Sequence, residues 1–541
     1  MLKIKSISEY FFSTFNLSLD KLRNSYFKTS FYNQKISKNI PSKYAYKPSP
    51  HIINCLVSFK KKKIKIENLH LNSIWKIDSN NQLEFNNLHN FLWLNTLDIK
   101  TSKVVTQNII EDWIENNFNF NEQTWKTEIL SKRIIAWISN TNLTLESSNP
   151  SYKERFNLCI IKQINHLFNN INNEKNYENK IIGCASLVLI GLIFNDYKKF
   201  KEAGLEILKK IIKINFDYNG FPKSRNLEEI TECLKYLILI REWIKESQNP
   251  MAEFLDETIY NLGISYNFIN KNFSHLPLFN GSSSASNEEF KIYLANAGYS
   301  FKHNFNERAG YYITKSKKIS FIMDIGNSAE KKFSTKYQAG CLSFEIVSGG
   351  NKLICNSGFI YKKNNRLSEL CKFTAAHSTL YLDNHSSCTL NKSNVKEGLK
   401  IFSKKINIEK DFDHVIASHN GYQKKYGYLH EREIKFFRKK NLFIGRDSLI
   451  ANKKSRKVYF GIRFHVSPET KMVKTQDATT VLLSIQNGEG WKFTCHDYEL
   501  MIEKGIYLGN KNKPNENENI FISGIVEQKD LSINWTLEKI S

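Results

Sequence analysis

A chain of 541 residues is too long for one core, and a hydrophobic content of 41% is ample for burial, so a disordered chain is excluded and at least two domains are expected. Lys and Arg number 78 against 53 Asp and Glu, a net charge of +25. Such a field attracts acidic polysaccharide, nucleic acid or an anionic membrane surface, or it is ordinary solvated surface in a chain rich in Lys, Asn and Ile.

Lys3 and Lys5 precede an aromatic stretch interrupted by Glu9, with neither a clean apolar core nor a small-residue cleavage site. No export signal is expected, which makes the cytoplasm the default compartment. Residues 1–75 read as a mixed N-terminal segment in which Lys60-Lys61-Lys62-Lys63 forms a solvated loop.

Residues 76–300 are expected to be helical. Between about 85 and 272 apolar residues recur at helical spacing, as in Phe85, Leu88, Phe91 and Leu92, then Ile109, Ile110, Trp113 and Ile114, then Ile129, Leu130, Ile134 and Trp137. Further helices are expected over roughly 152–170, 178–196, 199–215, 227–246 and 252–272. Short Asn-rich connections such as 169–173 make neighbours antiparallel, hence an α/α array. The longest apolar run, Ile181 to Phe194, falls short of the roughly 18 residues that span a bilayer, so it reads as a buried helix and no transmembrane segment is expected. Residues 272–308, with Gly281-Ser282-Ser283-Ser284-Ala285-Ser286, read as a linker.

Residues 301–541 change period. Short alternating or all-apolar runs end at Gly, Asn or Asp. Ile319 to Asp324 is one; Leu342 to Val347 and Lys352 to Cys355 flank a Ser348-Gly349-Gly350-Asn351 turn and read as a hairpin. Others are Ser378 to Leu382, His414 to Ser418, Ile434 to Phe437, Leu442 to Gly445, Val458 to His465, Thr480 to Gln486, Lys492 to Cys495 and Ile520 to Val526. So many strands at short intervals argue an antiparallel sandwich. Nine cysteines without a Cys-x-x-Cys sit mostly in apolar runs and read as buried free thiols. No phosphate-cradling loop, His-Glu-x-x-His pair or Gly-x-Ser-x-Gly elbow occurs, so a nucleotide cofactor has no support. Nor are aromatics interleaved with basic clusters as in a nucleic-acid stacking platform, so no specific nucleic-acid partner is expected.

Several short motifs share an order along the chain. In the helical half stand Asn87-Leu88-His89-Asn90-Phe91-Leu92-Trp93-Leu94, Arg133 with Trp137, Asn219-Gly220-Phe221-Pro222-Lys223-Ser224-Arg225-Asn226 and Leu278-Phe279-Asn280-Gly281. In the strand half stand Gly340-Cys341-Leu342-Ser343-Phe344-Glu345, Cys355-Asn356-Ser357-Gly358, Thr374-Ala375-Ala376-His377-Ser378-Thr379-Leu380, Ser418-His419-Asn420-Gly421-Tyr422, His430-Glu431-Arg432, Arg463-Phe464-His465 and Asn487-Gly488-Glu489-Gly490-Trp491. From about residue 70 onward this series resembles the heparinase II/III family of polysaccharide lyases, especially its uncharacterised bacterial branch. The resemblance implies an N-terminal α/α toroid (an incomplete barrel) followed by a C-terminal antiparallel β-sandwich, with a glycan cleft between them. It implies an acidic polysaccharide partner, uronate-containing or sulfated, like a glycosaminoglycan or alginate, and a periplasmic or envelope location.

A lyase of this kind removes the proton alpha to a uronate carboxylate and expels the oxygen on C4. It needs a donor to hold the carboxylate, a base for the proton and an acid for the leaving oxygen. The resemblance puts Arg225 and Asn226 in the loop of the carboxylate-holding residue: Arg by a bidentate pair, Asn by amide donation, or Asn226 caps the helix that begins near Leu227. Tyr266 lies near where a catalytic Tyr is sought, or is a half-buried core residue. The loop's family histidine is Pro222 here, and the acid-like histidine ahead of the Leu-Ser-Phe-Glu strand is Lys336 or Gln338. His377 stands where a histidine helps bind a metal or takes part in catalysis, or it is a strand histidine bonded to backbone. The metal's usual companions, a His and an Asp, look like Gln338 and Asn356, so no full zinc site and no cofactor are expected. His89, Trp93 and Trp137 are expected to contact sugars or pack in the helical core; Asn280, His419, Tyr422 and Arg463 complete the expected substrate-binding set, the last three on the sandwich.

Overall fold

The structure, a computed structural model, describes residues 18–38, 44–56, 75, 82–97, 103–360, 366–391, 394–510 and 514–541. The lysine run 60–63 and much of the segment 1–75 lie outside these residues. The chain divides into two compact units: one of Met1–Ile214, Cys233–Ile259 and Ile292–Ala297, the other of Asn215–Glu232, Tyr260–Lys291 and Gly298–Ser541.

The first unit is helical. Its helices include Gln82–His89, Lys103–Asn117, Thr127–Ser139, Pro150–Asn170, Tyr177–Ile193 and Lys198–Asn215. Local chemistry sets their starts. Asn149 accepts the Tyr152 N–H and is followed by Pro150 at the first helical position, while the Asn176 side chain accepts the Glu178 and Asn179 N–H groups. Tyr177–Ile193 is buried on every side from Ile181 to Ile193, a core helix. Among the described residues no helix is long and apolar enough to cross a membrane. Trp113 and Trp137 meet edge to face at 5.4 Å in this core, with Phe91 against both rings.

Two antiparallel sheets dominate the second unit. The nine-stranded sheet runs Glu307–Arg308, Tyr311–Lys315, Ile319–Asp324, Phe344–Ser348, Asn351–Cys355, Val458–Val466, Asn515–Val526, Met501–Tyr507, with Leu380–Leu382 also paired to Val458–Val466. The eight-stranded sheet runs Lys471–Lys474, Thr480–Ser484, Gly490–Thr494, Leu531–Lys539, Leu442–Ala451, Tyr428–Phe437, Phe412–His419, Ile401–Ile408. Burial alternates residue by residue along Tyr428–Phe437, as a strand with one face in a core requires. The sheets pack face to face through aromatic rings. Phe344 of one stacks at 5.6 Å on Trp535 of the other, Phe464 meets Trp535 at 5.0 Å, and Phe321 lies 5.6 Å from Phe443. Gly445 sits opposite Trp535 in register, where any Cβ would fall 2.1 Å from the indole. Helices followed by an antiparallel sandwich is the order the sequence implies.

Two details differ from expectation. Residues 288–296, inside the stretch read as a linker, form the helix Glu288–Asn296, which opens on two acidic residues and buries Phe290 and Leu294. The strands Ile401–Ile408, Lys471–Lys474, Met501–Tyr507 and Leu531–Lys539 are additional. The hydroxyl, ammonium and carboxylate groups they carry obscure the alternation that would mark them. The cysteines whose side chains are described are all buried and free; Cys55 lies outside that set.

Candidate functional site

The second unit gathers several candidates around the turn 216–226. Phe216 and Pro222 pair as an isolated bridge, and Asp217 Oδ1 accepts the N–H groups of Asn219 and Phe221. Gly220, at φ +71°, lies so close to the Asn261–Leu262 backbone that a Cβ would stand 2.7 Å from a carbonyl carbon. The turn ends on Arg225 in the left-handed region, φ +63°. Its guanidinium donates to Asp324 Oδ1 at 2.7 Å and Oδ2 at 3.1 Å, and to the carbonyls of Ala309, Gly310 and Asn327. It also lies over the Tyr311 ring at 4.6 Å. Arg225 is thus a buried tie between the turn and the first strands of the nine-stranded sheet. It borders a cavity of 370 Å³ whose other charged walls include Lys223, Glu307 and Lys404, with Phe333 beside them.

Asn226 caps the helix Leu227–Glu246. Its Oδ1 accepts the N–H groups of Glu228 and Glu229 at 2.8 and 3.3 Å and the Ser282 hydroxyl at 3.3 Å. One helical turn on, buried Glu229 accepts the Ser224 hydroxyl, and Lys336 Nζ lies 3.4 Å from its other oxygen. The Lys336 side chain is 31% exposed, while Glu229 is at 4%. Lys336 and Asn226 converge on Gly281: at φ +90° a Cβ there would stand 2.6 Å from Lys336 Cβ and 3.0 Å from Asn226 Nδ2. Asn280, also left-handed at φ +51°, donates to the Tyr311 hydroxyl at 2.6 Å, which in turn donates to the Arg225 carbonyl. One hydrogen-bonded neighbourhood therefore holds Arg225, Asn226, Asn280, Lys336 and Gln338. Glu229 and Asp324 belong to it as well; Asp324 lies 99 positions from Arg225 and Glu229 lies 107 from Lys336, so the sequence does not signal either pairing.

Gln338 and His377 belong to the adjoining part of the same unit. The Gln338 N–H donates to Asn280 Oδ1, its Oε1 accepts the Gly281 N–H, and its Nε2 donates to the carbonyls of Gly358 and Cys371. His377 follows the short turn Thr374–Ala376 and is buried, with no partner on either ring nitrogen. Burial, with His465 adding a smaller effect, pushes its pKa down to about 3. Its ring packs on Gly340, where a Cβ would fall 2.9 Å from Cγ. Asn356 Oδ1 accepts the Ser378 N–H at 3.0 Å, and its Nδ2 has no partner. A zinc ion does not fit this set. Neutral amides are poor zinc ligands, and both amide oxygens here already accept a backbone hydrogen bond, which leaves one imidazole in the set where zinc asks for three or four His, Cys or carboxylate ligands.

The other expected contacts are internal. Tyr266 is buried, packs edge to face on Phe290 at 5.3 Å and has a hydroxyl without a partner; burial raises its phenol pKa. His419 lies in the sandwich core, 3.3 Å from His430, which contacts Asp447 at 2.9 Å. Arg432 chelates the same carboxylate at 2.8 and 3.0 Å and donates to the carbonyls of Leu342 and Ser378. Trp535 Nε1 donates to Asp447 as well, so this buried aspartate meets a histidine, an arginine and an indole. Tyr422 is buried and donates to the Leu380 carbonyl; Arg463 pairs with Glu503 between the rings of Tyr381 and Phe521. In the helical unit Trp137 is fully buried, Trp93 is half-buried and donates to the Leu88 carbonyl, and buried His89 accepts the Trp113 indole N–H. These three side chains pack among the protein's own aromatic rings.

Residues 302–536 match the family model described as Heparinase II/III-like, C-terminal. Among solved structures, one of heparinase III is similar at 15% identity with a TM-score of 0.66, over 84% of this chain and 76% of that one. A mutant of heparan sulfate lyase HepC from Pedobacter heparinus is similar at 15% identity with a TM-score of 0.62, over 85% and 76%. At that identity the likeness is one of fold. No curated protein matches the chain.

Proposed function

We propose that the chain is a polysaccharide lyase-like protein that cleaves an acidic glycan, uronate-containing or sulfated, by β-elimination. In this reading residues 76–300 form its toroid domain and 301–541 its sandwich domain, after an N-terminal segment of 75 residues. The observation that carries it is Lys336: a side chain 31% exposed whose ammonium lies 3.4 Å from buried Glu229, and whose stem meets the Gly281 turn that the Asn226 amide also meets. Lys336 is one of the two positions, with Gln338, that the resemblance puts in place of the acid-like histidine ahead of the Leu342-to-Glu345 strand. In the elimination a base takes the C5 proton, the freed electron pair forms the C4–C5 double bond, the C4–oxygen bond breaks with its pair leaving on the oxygen, and that oxygen takes a proton from an acid or from water. A cation at Lys336 stabilises the carboxylate as negative charge builds on it. The net charge of +25 supports an anionic substrate by raising its local concentration. The family of residues 302–536 and the lyase names of the similar structures support the reaction class.

A second reading is a non-catalytic acidic-glycan-binding or envelope-assembly protein on the same fold. Two facts favour it: Arg225, Asn226 and His377 are sealed or committed to internal partners, and Pro222 replaces the loop histidine. Incubation with heparan, alginate, hyaluronan and bacterial capsular glycans separates the two. An unsaturated product absorbing in the ultraviolet supports the lyase; glycan binding without product supports the second reading.

A further inference from the structure

We infer that the sandwich of this chain is metal-independent, and that the amide of Gln338 supplies the cross-linking at the place where relatives of this fold can hold a metal. Gln338 is buried and uses its backbone N–H and both ends of its side chain. Through Asn280 and Gly281 it holds one loop, at 3.3 and 2.9 Å; through the Gly358 carbonyl at 2.9 Å it holds a second; through the Cys371 carbonyl at 2.7 Å it holds a third. These segments are far apart along the chain, so a single side chain closes three loops at once, the topological task a structural ion performs. The neighbouring segment repeats the attachment, with the Ala339 N–H donating to the Lys372 carbonyl and the Thr374 hydroxyl donating to the Ala339 carbonyl.

The ligand chemistry points the same way. Zinc needs ligands that offer a free lone pair, from thiolate, imidazole or carboxylate. Gln338 Oε1 accepts from Gly281, and Asn356 Oδ1 accepts from Ser378. His377 has no hydrogen-bond partner on either ring nitrogen, and the neighbouring His465 imidazole already uses both of its nitrogens, toward the Ser357 hydroxyl and the Ala375 carbonyl. Among the described residues no three His, Cys, Asp or Glu side chains gather as a metal site. Gln338 is therefore a positioning residue: by fixing Asn280 and Gly281 it also fixes the turn against which Lys336 and Asn226 rest.

The test uses the full-length wild-type protein and the variant Gln338→Leu, and reads metal content and melting temperature, neither of which depends on the lyase reading. After incubation with zinc chloride and dialysis, wild type is expected to carry well under one zinc per chain. Its Tm is expected to be unchanged by EDTA or by added zinc. Gln338→Leu, which deletes the side-chain bonds and leaves their partners unpaired, is expected to melt roughly 5–10 °C lower or to fail to fold. One zinc per chain retained by wild type, or a Tm lowered by EDTA, overturns metal independence. A Gln338→Leu protein that melts with wild type overturns the clamp.

Discussion

Arg225 and Asp324 form a two-point ion pair, at 2.7 and 3.1 Å, in which the side chains are 9% and 2% exposed. A guanidinium so enclosed, with further bonds to three carbonyls, holds the 216–226 turn on the sheet and has little reach toward a substrate. Arg225→Ala leaves Asp324 as a buried charge without its partner and is expected to cost about 3–5 kcal/mol of stability. Urea denaturation measures it. A loss of activity with stability intact would instead assign Arg225 to substrate.

Acid should weaken the fold early. Burial holds His166, His377 and His465 each at about 3, below the ordinary 6.5. The folded state refuses protons that the unfolded chain accepts, so their contribution is complete above pH 6.5 and is lost as pH falls from 6.5 toward 3. Each histidine adds a slope of up to about 1.4 kcal/mol per pH unit inside that window. The urea midpoint is expected to be clearly lower at pH 5 than at pH 7; equal midpoints would contradict the burial of these rings.

Legibility differed between fold and site. The hairpin Phe344–Ser348 and Asn351–Cys355 was visible because Gly349 and Gly350, both at positive φ, make a turn that few other residues make. Ile319–Asp324 was visible because a wholly buried strand is a short apolar run. Ile401–Ile408 was hidden because an edge strand that is mostly exposed carries Ser403, Lys404 and Lys405 among its apolar residues. The site was less legible. Arg225, Asn226 and Asn280 do share a neighbourhood, yet their commitments come from distant residues: Asp324 lies 99 positions from Arg225, and Ser282 lies 56 from Asn226. A motif shows that a side chain is present; whether its hydrogen bonds are already spent is decided by packing.

Tyr266 is a case where structure and catalysis can be pulled apart. Its buried hydroxyl has no partner, so Tyr266→Phe removes a desolvated polar group without opening a cavity. Stability is expected to stay level or to rise by up to about 1 kcal/mol, and glycan turnover to stay within twofold. An abolished turnover in a protein that melts normally would restore Tyr266 as a proton-transfer residue.

Gly445 faces the Trp535 ring across the eight-stranded sheet, with 2.1 Å available to a Cβ. Gly445→Ala must displace an indole that packs on Phe344 and Phe464. It is expected to destabilise by about 1–3 kcal/mol, with a blue- or red-shifted tryptophan emission as the ring moves. Unchanged stability and emission would contradict that packing.

The lyase reading rests most directly on Lys336, and one assay addresses it: ultraviolet absorbance of the unsaturated product, followed for wild type and Lys336→Met on the same panel of acidic glycans. The expected result is a steady rise with at least one uronate-containing polymer for wild type, and a rate lower by roughly 10²–10³ for a folded Lys336→Met. No rise with any polymer for folded wild type, or equal rates for the two proteins, would contradict it.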